Sequence, residues 1–216
     1  LHGAGVAVGP RAASWPKTQR QGARDGVLLI SDEVIPGFGR NGHWFGCERV
    51  GFQPDLMTFA KGVTAGYVPL GGVMVGDRIA KVLIEQGGEF NHGYTYSGHP
   101  LACAAGIATL DIYAEEGLLT RVAGLAKYWE DAIWSLKDAK NVIDLRVIGL
   151  VAGIEFSPRP GAPTKRAFEI FTKAFEKGVL IRVTGDIIAV SPPLIVEKAQ
   201  IDQIAGTIAE VLATVA

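Results

Sequence analysis

Gly26-Val27-Leu28-Leu29-Ile30-Ser31-Asp32-Glu33 is a short, continuous apolar run that ends in two carboxylates. Such a run is the pattern of a strand buried on both faces of a parallel sheet. Asp55-Leu56-Met57-Thr58-Phe59-Ala60-Lys61-Gly62 has the same form, an apolar run closed by a lysine, and Gly71-Gly72-Val73-Met74-Val75 is a third. In an open α/β sheet, ligands bind outside the carboxyl ends of the strands. Asp32 and Lys61 each stand at such an end, beside glycine-rich loop. From spacing alone two readings stay open. The pair faces a common ligand, or it is an ion pair or two solvated loop charges, which is the commoner case.

Helical periodicity takes over downstream. Ile79, Val82 and Leu83 share one face of a helix over 78–86, with Asp77 as the expected cap. Pro100 suits the first turn of a helix over 99–115 and Gly117 its stop. Val122, Leu125, Trp129, Ile133 and Leu136 stripe a helix over 119–137. Composition shifts near 138–144, the expected boundary between 26–140 and a smaller α+β domain over 141–216. There, 145–156, 179–182 and 187–191 read as strands. Phe168, Phe171 and Phe175 stripe one helix, and Ile201, Ile204, Ile208, Val211 and Val215 the last. Residues 1–25 show no apolar stripe and read as irregular.

The chain has 216 residues, 48% hydrophobic and 20% charged, with a net charge of −1, which excludes wholesale disorder. That charge provides no basic field for nucleic acid or anionic lipid. No apolar run approaches the roughly 20 residues of a membrane span. Two cysteines, Cys47 and Cys103, cannot form a disulfide framework and read as thiols of a reducing compartment. His92 and His99 lack metal-ligand spacing, so no metal site is expected. No P-loop and no dinucleotide fingerprint is present. Glycine is in excess, 28 residues, concentrated in the loops at 37–51, 62–76 and 87–98.

Ser31-Asp32-Glu33-Val34-Ile35-Pro36-Gly37-Phe38-Gly39-Arg40 and Pro54-Asp55-Leu56-Met57-Thr58-Phe59-Ala60-Lys61-Gly62 together resemble the active-site signature of class III aminotransferases. His92-Gly93-Tyr94-Thr95-Tyr96-Ser97-Gly98-His99-Pro100 resembles a third segment of that family. Arg182-Val183-Thr184-Gly185-Asp186 with Ser191-Pro192-Pro193-Leu194 resembles a fourth. The nearest subgroup is the ω-amino acid (β-alanine):pyruvate aminotransferases.

The resemblance implies the α/β fold type I of pyridoxal 5'-phosphate (PLP) enzymes. This chain would hold the C-terminal half of the large domain, followed by the small α+β C-terminal domain. It implies a transaminase that moves an amino group from an ω-amino acid or amine to a pyruvate-like keto acid by a ping-pong Schiff-base mechanism. Lys61 would form the Schiff base and Asp32 would keep the pyridine nitrogen protonated, making the ring an electron sink. Val34 would pack on one ring face, pointing to the same side as Asp32 if the strand continues. Thr95 would reach the cofactor phosphate from the neighbouring subunit of a homodimer. Arg182 would clamp the substrate carboxylate through its bidentate fork. Glu33 and Arg40 would take structural roles such as loop salt bridges. The expected location is cytoplasmic.

Ser31 and Pro36 depart from the residues usual around Asp-Glu-Val. Residues 14–24 also depart, reading as an aberrant leader, and the family's upstream phosphate cup is not in the sequence. A non-catalytic fragment, a 4-aminobutyrate transaminase and an aminomutase are the alternative readings.

Overall fold

The computed structural model describes residues 15–215. The described chain divides into two compact units, residues 15–39 with 43–119 and residues 40–42 with 120–215. The break after Leu119 falls earlier than the composition shift at 138–144.

The first unit opens with helix α1 (Trp15–Asp25), in a stretch that the sequence reading leaves irregular. No α1 residue is buried, so an apolar stripe is not what holds it. Its Trp15 ring stacks on Phe52 at 5.2 Å, Gln19 Nε2 donates to the Gln53 carbonyl at 2.9 Å, and Gln53 N–H donates back to Gln19 Oε1 at 3.3 Å. One aromatic stack and a reciprocal amide pair replace the stripe.

Strands β1 (Ile30–Asp32), β2 (Leu56–Phe59) and β3 (Gly72–Val75) form a three-stranded sheet in that order. β1 runs parallel to β2 with Asp32 opposite Thr58, and β3 is antiparallel to β2. The expected two-sided burial does not occur. Ile30 is 58% exposed and Val73 56%, because no described element covers that side of a sheet only three strands wide. Val27 and Leu28 precede β1 as exposed, irregular chain. Short helix α2 (Gly46–Val50) lies in the loop between β1 and β2. Helix α3 (Asp77–Gln86) begins one residue earlier than expected: Gly76 is its N-cap, and Asp77 sits in the first turn with its charge at the helix's positive end. Helix α4 (Pro100–Glu115) starts on proline and buries Ala102, Gly106, Thr109 and Tyr113. Those spacings of four, three and four define one helical face.

Helix α5 (Leu118–Trp134) leads into the second unit. There β4 (Val142–Ile148), β5 (Val151–Phe156), β6 (Arg182–Thr184) and β7 (Ile187–Val190) form an antiparallel sheet ordered β4-β5-β7-β6. Residues 179–181, read as strand, precede β6 as irregular chain. The hairpin between β4 and β5 turns at Gly149, at φ 55°, where an added Cβ would lie 2.3 Å from the Asn41 Cα. Only glycine lets the strap at 40–42 pass this closely. Leu150 N–H then bonds the Arg40 carbonyl at 3.0 Å, and the Arg40 guanidinium donates to the Pro192 carbonyl.

Helices α6 (Lys165–Glu176) and α7 (Lys198–Thr214) complete this unit. Its core is closed: Trp129, Ile133, Ile154, Phe156, Ile170, Ile188, Ile201 and Ile208 are fully buried. The phenylalanine stripe of α6 is not the buried face. Phe168 is 56% exposed and Phe175 61%, while Ala167, Ile170 and Ala174 turn inward. Small residues on the inner face bring the helix close to its neighbours, and the rings are left outside.

Phe156→Ala will cost about 3–5 kcal/mol through the cavity it leaves. Phe168→Ala will change stability by less than about 0.5 kcal/mol. Urea unfolding of the two variants checks the assignment of the buried face.

Candidate active site

Chain alternation at the end of β1 sorts three consecutive residues. Ser31 and Glu33 are buried and Asp32 is exposed. Glu33 is 1% exposed. Its Oε2 accepts the Gly46 N–H at 2.6 Å, and its Oε1 accepts the Cys47 N–H at 2.8 Å and the Ser31 hydroxyl at 2.9 Å. Gly46 and Cys47 open α2, so the carboxylate satisfies two amides that have no partner within the helix. Burying a carboxylate is tolerable when it collects this many donors.

Cys47 lies under the same carboxylate. Burial pushes its thiol up to about 12, and the charge and hydrogen bond of Glu33 add to the shift. Held this high, the thiol is inert at ordinary pH.

On the opposite side of the backbone, Asp32 Oδ1 accepts the Val34 N–H at 3.1 Å and the Thr58 hydroxyl at 3.4 Å. Among the described residues Oδ2 has no partner. β1 ends at Asp32, so strand alternation does not extend to Val34; the Asp32 side chain instead folds over the Val34 amide as in an Asx turn. Val34 is half-buried.

β2, beside it, runs through Ala60 into a single 3₁₀ turn (Lys61–Thr64). Lys61 sits in the left-handed region at φ 50°, as does Ala65 at the end of the turn. For a residue with a Cβ this conformation is strained and persists only where its surroundings enforce it. Gly62 is one enforcing contact: a Cβ there would meet the Phe38 Cβ at 2.8 Å, and Phe38 is itself left-handed at φ 58°. The Lys61 side chain is exposed, so the described residues do not supply the partly desolvated setting in which such an amine is nucleophilic.

The structure brings Asp32, Val34, Thr58 and Lys61 to the carboxyl edge of one parallel strand pair. Thr95 is not among them. It lies in an exposed turn in which Tyr94 N–H bonds the Ser97 hydroxyl at 2.9 Å, between Tyr94 (82% exposed) and Tyr96 (80% exposed). Arg182 belongs to the second unit, exposed at the start of β6 opposite Ala189. It borders a groove of about 1060 Å³ with Phe168, Phe171, Leu180 and Ile195. Thr58 was missed as a partner of Asp32, because the register that places them opposite each other is not written in either strand alone. No group of three or more His, Cys, Asp or Glu among the described residues could hold a metal ion. No helix among them is long and apolar enough to cross a membrane.

A sequence model of the class III aminotransferases matches residues 2–212, and the chain belongs to that family. Over 192 residues it is 56% identical to an omega-aminotransferase of Caulobacter vibrioides, an alignment covering 88% of this chain and 44% of that protein. It is 44% identical to a beta-alanine–pyruvate aminotransferase of Pseudomonas aeruginosa, covering 86% of this chain and 43% of the relative. Among solved structures it overlays an (S)-enantioselective omega-transaminase from Thermomicrobium roseum with a TM-score of 0.89 and 38% identity, over 95% of this chain and 47% of that one. The α/β fold is therefore that of the transaminases. The chain spans about half the length of the relatives it matches. The family match also takes in most of residues 1–25.

Glu33→Ala strands two buried amides and will cost about 2–5 kcal/mol, read from urea midpoints. The native Cys47 thiol keeps its proton to about 12, whereas an unfolded thiol loses it near 9.0. Between those values the unfolded state binds fewer protons, so stability will be intact below pH 9 and fall as pH rises above it. Cys47→Ala will flatten that fall, measured as the pH dependence of the unfolding midpoint.

Proposed function

We propose that the protein is a PLP-dependent transaminase that moves an amino group from an ω-amino acid or amine to pyruvate. The observation that carries this reading is the pairing at the strand ends. A primary amine and a carboxylate with one unpartnered oxygen end adjacent parallel strands, at the edge where α/β folds bind ligands. The donor set fits PLP: the amine suits its aldehyde, and the free carboxylate oxygen suits a protonated ring nitrogen. Among the relatives, one is named for β-alanine with pyruvate and another, 41% identical, for putrescine with pyruvate. A gamma-aminobutyrate transaminase of tomato is less similar, at 36% identity, which ranks the 4-aminobutyrate alternative second.

When bound, the cofactor supplies the aldehyde that takes up the amino group and the ring that accepts electrons from the substrate carbon. Lys61 Nζ would hold that aldehyde, and as a free amine it would move a proton at the donor's amine-bearing carbon. Asp32 Oδ2 would accept the ring N–H, while Oδ1 stays fixed by the Val34 amide and Thr58. Val34 would pack against the ring. Thr95, donated across a homodimer interface, bonds the phosphate, and its exposed turn fits a surface that a second subunit covers. Arg182 holds the carboxylate of the amino or keto acid. The two units correspond in this reading to part of the large domain and to the small C-terminal domain.

Borohydride treatment after addition of PLP will leave a stable cofactor adduct on Lys61, located by peptide mass mapping. Its absence, or the same adduct yield in Lys61→Ala, would sink the reading. In the active enzyme, Arg182→Ala will raise KM for β-alanine by about 10-fold or more, as expected for losing a charge-assisted pair. An amine donor without a carboxylate will be unaffected in its own KM.

A further inference from the structure

The left-handed turn at Lys61 has a second brace that none of the motif residues supplies. The Gly62 carbonyl accepts the Tyr113 hydroxyl at 2.8 Å, besides the Ala65 N–H at 3.2 Å that closes the turn. Tyr113 is 7% exposed, at the far end of the small-residue face of α4. Its ring meets Trp44 edge-on, with centroids 6.2 Å apart and planes at 66°. Gly106, two face positions further back on α4, leaves room for Leu70 and Val63 of the same loop: a Cβ there would lie 3.0 Å from a Leu70 methyl. The helix thus packs closely on the turn, and the Tyr113 hydroxyl bonds the residue after the lysine.

Gly62 is therefore gripped from two directions. Phe38 presses on its α-carbon, with no room for a Cβ, and Tyr113 holds its carbonyl. With both in place the Gly62–Val63 peptide is held, and with it the 3₁₀ turn that Lys61 opens in left-handed backbone. Releasing the carbonyl frees that peptide to rotate within the turn, and relief of the strain at Lys61 favours the movement. The Lys61 backbone, one residue away, shifts with the turn, and its amine moves with it.

We infer that Tyr113 is a positioning residue for Lys61: it sets the direction of the amine without touching cofactor or substrate. The inference rests on the reading of Lys61 as the cofactor-binding amine.

Reductive methylation with ¹³C-formaldehyde labels the lysine amines for NMR, and Lys61→Arg identifies the Lys61 signal. Tyr113→Phe keeps the ring and its Trp44 contact and removes only the hydroxyl. It will move the Lys61 signal, leave the other lysine signals in place, and slow the borohydride-trapped PLP adduct at Lys61 by about two- to ten-fold, the worth of one hydrogen bond. Tyr128→Phe, which also removes one bonded hydroxyl but one that bonds Asp202, will do neither. Gly62→Ala, pushing against Phe38 from the other side, will displace the same signal and serves if Tyr113→Phe does not fold. An unchanged Lys61 signal and adduct rate in Tyr113→Phe would overturn the inference, even with stability reduced. A Lys61 signal that moves while the wild-type chain takes no adduct at Lys61 supports the coupling and refutes the cofactor role of Lys61. The two failures are thereby told apart.

Discussion

The carboxylate of Glu33 is the constraint on which the first unit depends. It is buried where the strand stops, and it must find donors there or the strand end cannot stay dry. It finds them in the first turn of α2 and in the Ser31 hydroxyl. That requirement pulls the loop between β1 and β2 back onto the strand end. Because alternation turns successive side chains to opposite sides, fixing Glu33 inward turns Asp32 outward. The candidate catalytic carboxylate thus owes its exposure to its buried neighbour. The loop that Glu33 anchors also carries Phe38, the residue that wedges against Gly62 and so constrains the lysine on the adjacent strand.

Strain and support are divided in this arrangement. Phe38, Lys61 and Ala65 all adopt left-handed backbone without being glycine, and each costs on the order of 1–3 kcal/mol. Those costs converge on one short turn, where the buried Glu33 network, the tyrosine of α4 and the close approach at Gly62 hold the chain in place. Pre-organising an amine in this way spends stability where geometry matters for chemistry, and the rest of the unit must supply it.

The two units close their cores differently. In the second, the sheet and its helices share a buried core in which Ile154, Phe156 and Ile188 are inaccessible, although Phe168 and Phe175 of α6 stay outside it. In the first, Ile30, Val73, Met74 and Val75 on the sheet and Ile84 on α3 remain exposed. Helix α4 is the exception within it, with a small-residue face packed directly on the lysine turn. Close packing in the first unit is found beside the candidate site, at Gly62 and Gly106, whereas its broad apolar sheet face is open.

Much of this was legible in the sequence. The apolar runs before Asp32 and Lys61, the proline that opens α4 and the stripe of α5 and α7 follow from local pattern, because side-chain period and turn chemistry are local properties. The motif residues also identify the family. Tertiary structure decided what local pattern leaves open. It showed α1 as a helix held by a ring stack and paired amides instead of an apolar stripe, and it turned the phenylalanines of α6 outward. It made Glu33 an acceptor for backbone amides and brought the Arg40 guanidinium to the Pro192 carbonyl, across 152 residues of chain. It placed Thr58 beside Asp32 through strand register and Tyr113 against Gly62 across 51 residues of chain. Each of these depends on which distant segment arrives at a given surface, a matter of packing and of satisfying buried polar groups that no single stretch of sequence encodes.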